Sequence, residues 1–136
     1  MFFGEYQVRF QKKKNRLALP AKIRNQIKGE EVILSCGFDG CIFGYEKGEW
    51  QKFTRKELSG SVTEKRSRQV RRHLFSGAAI VTYDTQGRTV VPQNLVDYAN
   101  LTGDQVAVIG AGDHFEIWNK QKWQKYLTEN KKEVWE

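Results

Sequence analysis

Cysteine, histidine, proline and methionine are all scarce in this chain: two, two, two and one among 136 residues. Cys36 and Cys41 are too few for a disulfide framework, and neither has a Cys or His neighbour at ligand spacing, which excludes a zinc site of the usual pattern. Both read as buried or half-buried thiols on strands. No apolar run approaches the roughly 20 residues that a membrane-crossing helix requires, and the first residues lack the charged, apolar, small-residue layout of a signal peptide. The expectation is a cytoplasmic protein with no membrane partner. Groups for catalysis are equally thin: Cys36 with a solitary His73 or His114, or the pair Asp39 and Asp113, is the most that an enzyme finds here. The two aspartates occupy equivalent turns of a repeat and are more simply turn formers. The chain therefore reads as no enzyme, with no cofactor, no metal and no small-molecule substrate.

Acidic residues fall short of basic ones in one half only. Residues 1–76 hold 17 Lys and Arg against 8 Asp and Glu, a net +9, whereas residues 77–136 hold 6 against 8, a net −2. A basic face attracts polyanions, and DNA or RNA is the usual one for such a protein. Scattered charge is explained by solubility alone, but Lys12-Lys13-Lys14 on one tight turn is not, because like charges repel there and folding has no use for them. Apolar residues make up 39% of the chain and aromatics 12%, ample for a core, so global disorder is excluded.

The two prolines mark a repeat. Lys12-Lys13-Lys14-Asn15-Arg16, then Leu17-Ala18-Leu19, stops at Pro20; Asp84-Thr85-Gln86-Gly87-Arg88, then Thr89-Val90-Val91, stops at Pro92. Asn15 and Gly87 supply residue types that tolerate a left-handed backbone, and proline suits the first turn of a helix. Each copy thus predicts turn, strand and helix. The match continues through Gly29-Glu30-Glu31-Val32-Ile33-Leu34 and Gly103-Asp104-Gln105-Val106-Ala107-Val108, and through Tyr45 with Trp118, Trp50 with Trp123 and Phe53 with Tyr126. Aromatics that recur in both the basic and the acidic half read as core residues rather than base-stacking ones.

Taken in order, Tyr6, Val8 and Phe10 alternate with Gln7, Arg9 and Gln11, as a half-buried strand requires. A helix is predicted from Pro20 to about Ile27, ending near Gly29, with strands around Val32–Ser35 and Cys41–Tyr45 and a helix carrying Trp50 and Phe53. The stretch 59–76 has no well-matched copy: a Ser/Gly loop, then a helix with Lys65, Arg66, Arg68, Arg71 and Arg72, anchored by Val70 and Leu74. Its basic face reads as solvated surface, with a second phosphate contact or a subunit contact as alternatives. Ala78–Tyr83, Arg88–Val91, Gln105–Ile109 and Phe115–Trp118 are predicted strands, Pro92–Ala99 a helix, and Asn119 the N-cap of a helix through Leu127. The expected division is a first repeat 1–58, a linker 59–76, a second repeat 77–128 and a frayed tail 129–136, mainly β with short helices.

Met1-Phe2-Phe3-Gly4-Glu5-Tyr6, Arg16-Leu17-Ala18-Leu19-Pro20-Ala21-Lys22-Ile23-Arg24, Gly37-Phe38-Asp39-Gly40-Cys41 and Asp113-His114-Phe115-Glu116-Ile117-Trp118 resemble the MraZ family of bacterial transcriptional regulators, within the AbrB-like superfamily, over essentially the whole chain. The resemblance implies a pseudo-twofold swapped-hairpin (double-split) β-barrel built from two tandem repeats. It also implies a ring-like homo-oligomer at the nucleoid, acting on short direct repeats of double-stranded DNA upstream of its own division and cell-wall gene cluster. The family motif is a doubled Asp-x-x-x-Arg. Asp84 and Arg88 keep it; Lys12 stands where the first copy has aspartate, beside Arg16.

A two-stranded ribbon fits the major groove, and arginine matches guanine O6 and N7. Arg16 is the expected base reader, freed by the loss of an acidic partner. Lys12, Lys13 and Lys14 are the expected phosphate contacts, with Arg9 and Asn15 as lesser candidates. Arg88 is expected to be pinned by Asp84 on the Gly87 turn. An RNA-binding module is the alternative, although it would expose aromatics for stacking. An antitoxin of the same superfamily would carry a long disordered tail, and the tail here reads as too short.

Overall fold

The computed structural model describes residues 1–135. Eight strands and five helices follow one another among these residues, the strands in consecutive pairs: β1 (Glu5–Gln11), β2 (Arg16–Ala18), α1 (Ala21–Arg24), β3 (Glu31–Cys36), β4 (Ile42–Tyr45), α2 (Lys47–Leu58), α3 (Lys65–Ser76), β5 (Ala79–Thr82), β6 (Arg88–Val90), α4 (Gln93–Tyr98), β7 (Gln105–Gly110), β8 (Phe115–Asn119) and α5 (Lys120–Trp135). All pairings are antiparallel, in the order β5-β3-β4-β8-β7-β1-β2-β6. The two end strands meet across a tight hairpin: the Asp84 N–H donates to the Arg88 carbonyl at 3.0 Å, and Thr89 Oγ1 donates to the Thr82 carbonyl at 2.9 Å. The sheet is thereby a nearly closed barrel.

The halves exchange hairpins. β1 lies against β7, from Glu5 opposite Ile109 to Arg9 opposite Gln105, and β5 lies against β3, from Glu31 opposite Thr82 to Leu34 opposite Ala79. Between the exchanged hairpins β2 pairs with β6, Leu17 opposite Thr89. The inward face of this lattice is one apolar cluster: Phe10, Leu17, Ile23, Leu34, Ile42, Leu95, Val106, Phe115 and Ile117 are each at most 2% exposed. It takes side chains from both halves, so neither half encloses it alone.

The short helices close the barrel ends. Pro20 and Pro92 sit at their N-caps rather than inside them, and their carbonyls accept the first helical bonds. The pattern predicts a helix to Ile27, but α1 stops at Arg24. The Gln26 and Ile27 amides donate three residues back, to Ile23 and Arg24, and this tighter winding still delivers Ile27 to the core at 8% exposure. α4 ends with Asn100 at φ 55°, its N–H on the Asp97 carbonyl and the Leu101 N–H on the Val96 carbonyl, the left-handed stop that satisfies the last orphan acceptors. At the C-terminal end the pattern predicts a helix only through Leu127, and the observed helix is longer. α5 runs on to Trp135, Asn130 Nδ2 donating to the Tyr126 carbonyl at 2.9 Å, and only Glu136 lies outside the described residues. Charged residues such as Lys and Glu are good helix formers, and the absence of an apolar stripe does not end a helix.

On the outer side of β3, β4, β7 and β8 lies a second, aromatic cluster. Tyr45 stacks on Phe53 with centroids 5.0 Å apart, and their repeat counterparts, Trp118 of β8 and Tyr126 of α5, lie 5.1 Å apart. Leu74 is fully buried, with Val70 packed beside it, which holds α3 down. Cys41 precedes β4 rather than standing in it, and burial pushes its thiol far up, with Glu116 and Asp39 adding to the shift.

His114 bridges the halves in this cluster. Its ring stacks on Tyr45 at 4.9 Å, while Nδ1 meets Asp113 at 2.7 Å and Nε2 meets Glu116 at 2.9 Å. Burial pulls the imidazole pKa down, but the hydrogen bonds and charges of Glu116 and Asp113 together lift it above the ordinary 6.5. A raised folded pKa gives stability that is fully present below 6.5 and is lost as pH rises through the folded value. The melting temperature is therefore expected to fall as pH climbs from 6.5 into the alkaline range, and His114→Gln to remove that slope. Equal slopes for the two proteins would show that the clasp contributes nothing.

Candidate nucleic-acid interface

The two repeated turns flank the β2–β6 ladder at the barrel surface. Strand alternation decides what faces out: Leu17 and Thr89 are buried, while Arg16, Ala18, Arg88 and Val90 face outward, Arg16 opposite Val90 and Ala18 opposite Arg88. The two arginines thus share one face of the central ribbon. Beside it rises the first turn, with Lys12, Lys13 and Lys14 exposed and, among the described residues, in no ion pair. Arg9, exposed on β1, joins them along a shallow groove that also takes in Asp104 and Gln105.

The second turn is built by its aspartate. Asp84 Oδ1 accepts the Gln86 and Arg88 amides, each at 2.9 Å, and Oδ2 accepts Arg88 Nε at 2.7 Å. The hydrogen bonds from Arg88 backbone and side chain hold the Asp84 carboxyl below its ordinary value. Gly87, at φ 77°, takes the left-handed position that favours glycine, and the Arg24 guanidinium lies over it where a Cβ would otherwise stand.

In the first turn the geometry differs from the expectation. Arg16 is not free: Gln11, directly opposite it in the ladder, accepts Arg16 Nε through Oε1 at 2.6 Å. The Gln11–Arg16 pair closes a loop of four residues, Lys12 to Asn15, whereas Asp84 and Arg88 close a loop of three, so the acceptor moves one place upstream. Lys12 is thereby left to point into solvent. Asn15, at φ 50°, has its side chain committed: Nδ2 donates to Gln93 Oε1 at 2.8 Å, and Gln93 in turn donates to Asp97. The turns are tied to the opposite half by matched bonds, Val91 N–H to the Asn15 carbonyl at 2.7 Å and Leu19 N–H to the Gly87 carbonyl at 2.8 Å.

Both arginines are thus held at Nε, and among the described residues neither has a hydrogen bond at its Nη atoms. Held so, the free end of each guanidinium is an oriented fork of donors.

Two barrel halves with the same turn, strand and helix are matched twice by one family model, described as "MraZ protein, putative antitoxin-like", over residues 1–73 and 74–135. The chain belongs to the MraZ family. It is similar to the transcriptional regulator MraZ of Roseiflexus castenholzii, 42% identical over 94% of this chain and 87% of that protein. It is also similar to those of Clostridium botulinum, 43% over 93% and 87%, and Acetivibrio thermocellus, 43% over 93% and 86%.

In this MraZ-family chain two residues beside the turns escape a reading of the sequence. Gln11 does so because the arginine's acceptor is sought four places upstream, where Lys12 stands; only the register shows it is five. Arg24 does so because it lies in the first repeat but sits over the second turn, a neighbourhood created by the hairpin exchange. It shares a surface hollow with Tyr83, Asp84 and Thr85 and makes no ion pair among the described residues, since both Asp84 oxygens are already engaged by the turn and by Arg88. In the sequence its one signal is the small Gly87, which leaves room for it.

Asp84→Asn keeps an acceptor for the turn amides but weakens the bond to Arg88 Nε, and Asp84→Ala removes both. At neutral pH melting temperatures are expected to rank wild type, then Asp84→Asn, then Asp84→Ala. A carboxylate with a lowered folded pKa contributes above its ordinary 3.8 and stops contributing as pH falls through the folded value. The gap between wild type and Asp84→Asn should close in acid; thermal melts at neutral and acid pH check it, and a gap that persists in acid rules the carboxylate out as its source.

Proposed function

We propose that this chain is a sequence-specific double-stranded DNA-binding transcriptional regulator. The observation that carries the reading is the pair of pinned arginines on one outward ribbon face, with the three-lysine turn beside them. A two-stranded antiparallel ribbon enters the major groove, where a guanidinium fork meets guanine O6 and N7. Arg16 and Arg88 read bases. Lys12, Lys13, Lys14 and Arg9 contact phosphates beside the first turn, and Arg24 does so beside the second, supplying affinity and register without sequence information. Gly87 and Asn15 shape the turns. The two ends of the face are unequal, one bearing three lysines and the other a neutralised Asp84–Arg88 pair, so the unit has a direction on DNA. Direct repeats, all bound in one orientation, suit such a unit better than palindromes.

One face of this size binds weakly, and several units held in one body multiply affinity by linked binding. The assembly we infer is a ring-like homo-oligomer on repeated sites, and we propose from the family resemblance that these sites lie upstream of its own division and cell-wall gene cluster. In gel filtration or mass photometry a species well above 15.8 kDa is expected. A monomer that grips one isolated site tightly would remove the need for assembly.

The decisive experiment is selection from random double-stranded DNA, followed by titration of the recovered motif. Arg16→Ala and Arg88→Ala should each weaken binding by about 1–3 kcal/mol per engaged site and blur one base position. Changing Lys12, Lys13 and Lys14 together to Gln should weaken all sequences alike and flatten the salt dependence by about 0.9 per lost contact. Recovery of no motif, with single-stranded RNA bound more tightly than duplex DNA, would replace this reading with the RNA-binding one.

A further inference from the structure

Two branched apolar side chains stand in water in the middle of the charged face. Ile80 is 60% exposed and Val90 54%, and neither belongs to either buried cluster. They line one shallow groove with Thr82, Asp84, Arg16 and Arg88. Val90 is the direct cross-strand partner of Arg16, which places side chains of the two residues about 5 Å apart at Cβ. Folding has no use for this pair, and the pseudo-twofold does not reproduce it: the counterpart of Val90 is the small Ala18, and that of Ile80 is the polar Gln7, which faces Ala107 as Ile80 faces the equivalent Ile33.

We infer that Ile80 and Val90 form a receptor for the 5-methyl group of a thymine next to the guanine read by Arg16. The inference rests on the double-stranded DNA reading above. Among the base edges in the major groove the thymine methyl is the one apolar group, and it is recognised by apolar contact rather than by hydrogen bonds. An apolar notch between two guanidinium forks matches a thymine lying beside guanine, and Ala18 on the other side is too small to do the same. Charge decides the occupant. The apolar pair is hemmed by Arg16 and Arg88, with Lys12, Lys13 and Lys14 on the same side of the barrel, so a second copy presenting the same cations would be repelled where a polyanion is drawn in.

The test uses the full chain and the duplex motif recovered by selection, with each thymine replaced in turn by deoxyuridine, a change that removes the methyl group alone. At one position the substitution should weaken wild-type binding roughly fourfold, the effect of one methyl group returned to water. The double variant Ile80→Ala, Val90→Ala should bind the thymine duplex about as weakly as wild type binds the deoxyuridine duplex, and should no longer distinguish the two. Both side chains are exposed, and equal melting temperatures confirm that the fold is kept; Val90→Thr, which retains the branch, controls for lost strand shape. If no deoxyuridine position weakens wild-type binding while Arg16→Ala still does, the receptor is wrong and the DNA reading stands. If the double variant still loses fourfold on demethylation, or changes assembly size with DNA affinity intact, the two residues serve another contact. If wild type ignores duplex DNA altogether, both readings fall.

Discussion

Three residue pairs, Arg16 with Val90, Leu17 with Thr89 and Ala18 with Arg88, join the two halves at the centre of the barrel surface. Strand alternation couples two demands at this seam. The middle pair must be apolar or satisfied to face the core, and Thr89 meets that demand by donating its hydroxyl to the Thr82 carbonyl. The outer pairs are then released to the surface, where they carry charge at no cost to packing. A shift of one residue in register would bury the arginines and expose Leu17, so the core that holds the halves together also fixes which side chains the face presents.

Hairpin exchange has a second consequence, which is that neither turn belongs wholly to its own half. Asn15 is held by Gln93 and by the Val91 amide, Gly87 by the Leu19 amide with Arg24 over it. The strongly basic first half therefore lends a cation to the turn of the acidic second half. This softens an imbalance of charge that the linear sequence exaggerates, yet does not abolish it: three lysines stand at one end of the face and one arginine from a neighbouring helix at the other.

Much of this was legible in the residues. The repeated turn, strand and proline, the recurrence of aromatics at matched places and the alternation of Tyr6, Val8 and Phe10 are local signals, and local signals survive the absence of a structure. What could not be read depends on distance or on register. Gln11 takes the place of the expected aspartate because loop length, not side-chain identity, decides which residue faces the arginine. Arg24 reaches the second turn because of pairings between residues about a hundred positions apart, as between Glu5 and Ile109. At the C-terminus the sequence pattern carries a helix only through Leu127, and α5 runs on to Trp135, with bonds such as that from Asn130 Nδ2 to the Tyr126 carbonyl.

The two pins do different work although they hold the same atom. An arginine has about 2 kcal/mol of side-chain conformational entropy to lose, comparable with the 1–3 kcal/mol that a bidentate base contact contributes to discrimination. A side chain ordered only on binding would forfeit most of that gain. Holding Nε during folding moves the ordering cost out of the binding step, and both Gln11 and Asp84 achieve this. Their charges separate them. Asp84 cancels much of the field of Arg88, so the second turn offers a well-placed fork with little long-range pull. Gln11 is neutral, so Arg16 keeps its full charge beside three lysines, and a polyanion is drawn to the first turn from farther away. On the DNA reading, replacing the motif aspartate with Lys12 does not damage the first site: both arginines read bases, and the first turn in addition attracts the duplex from a distance, whereas the second adds recognition once contact is made.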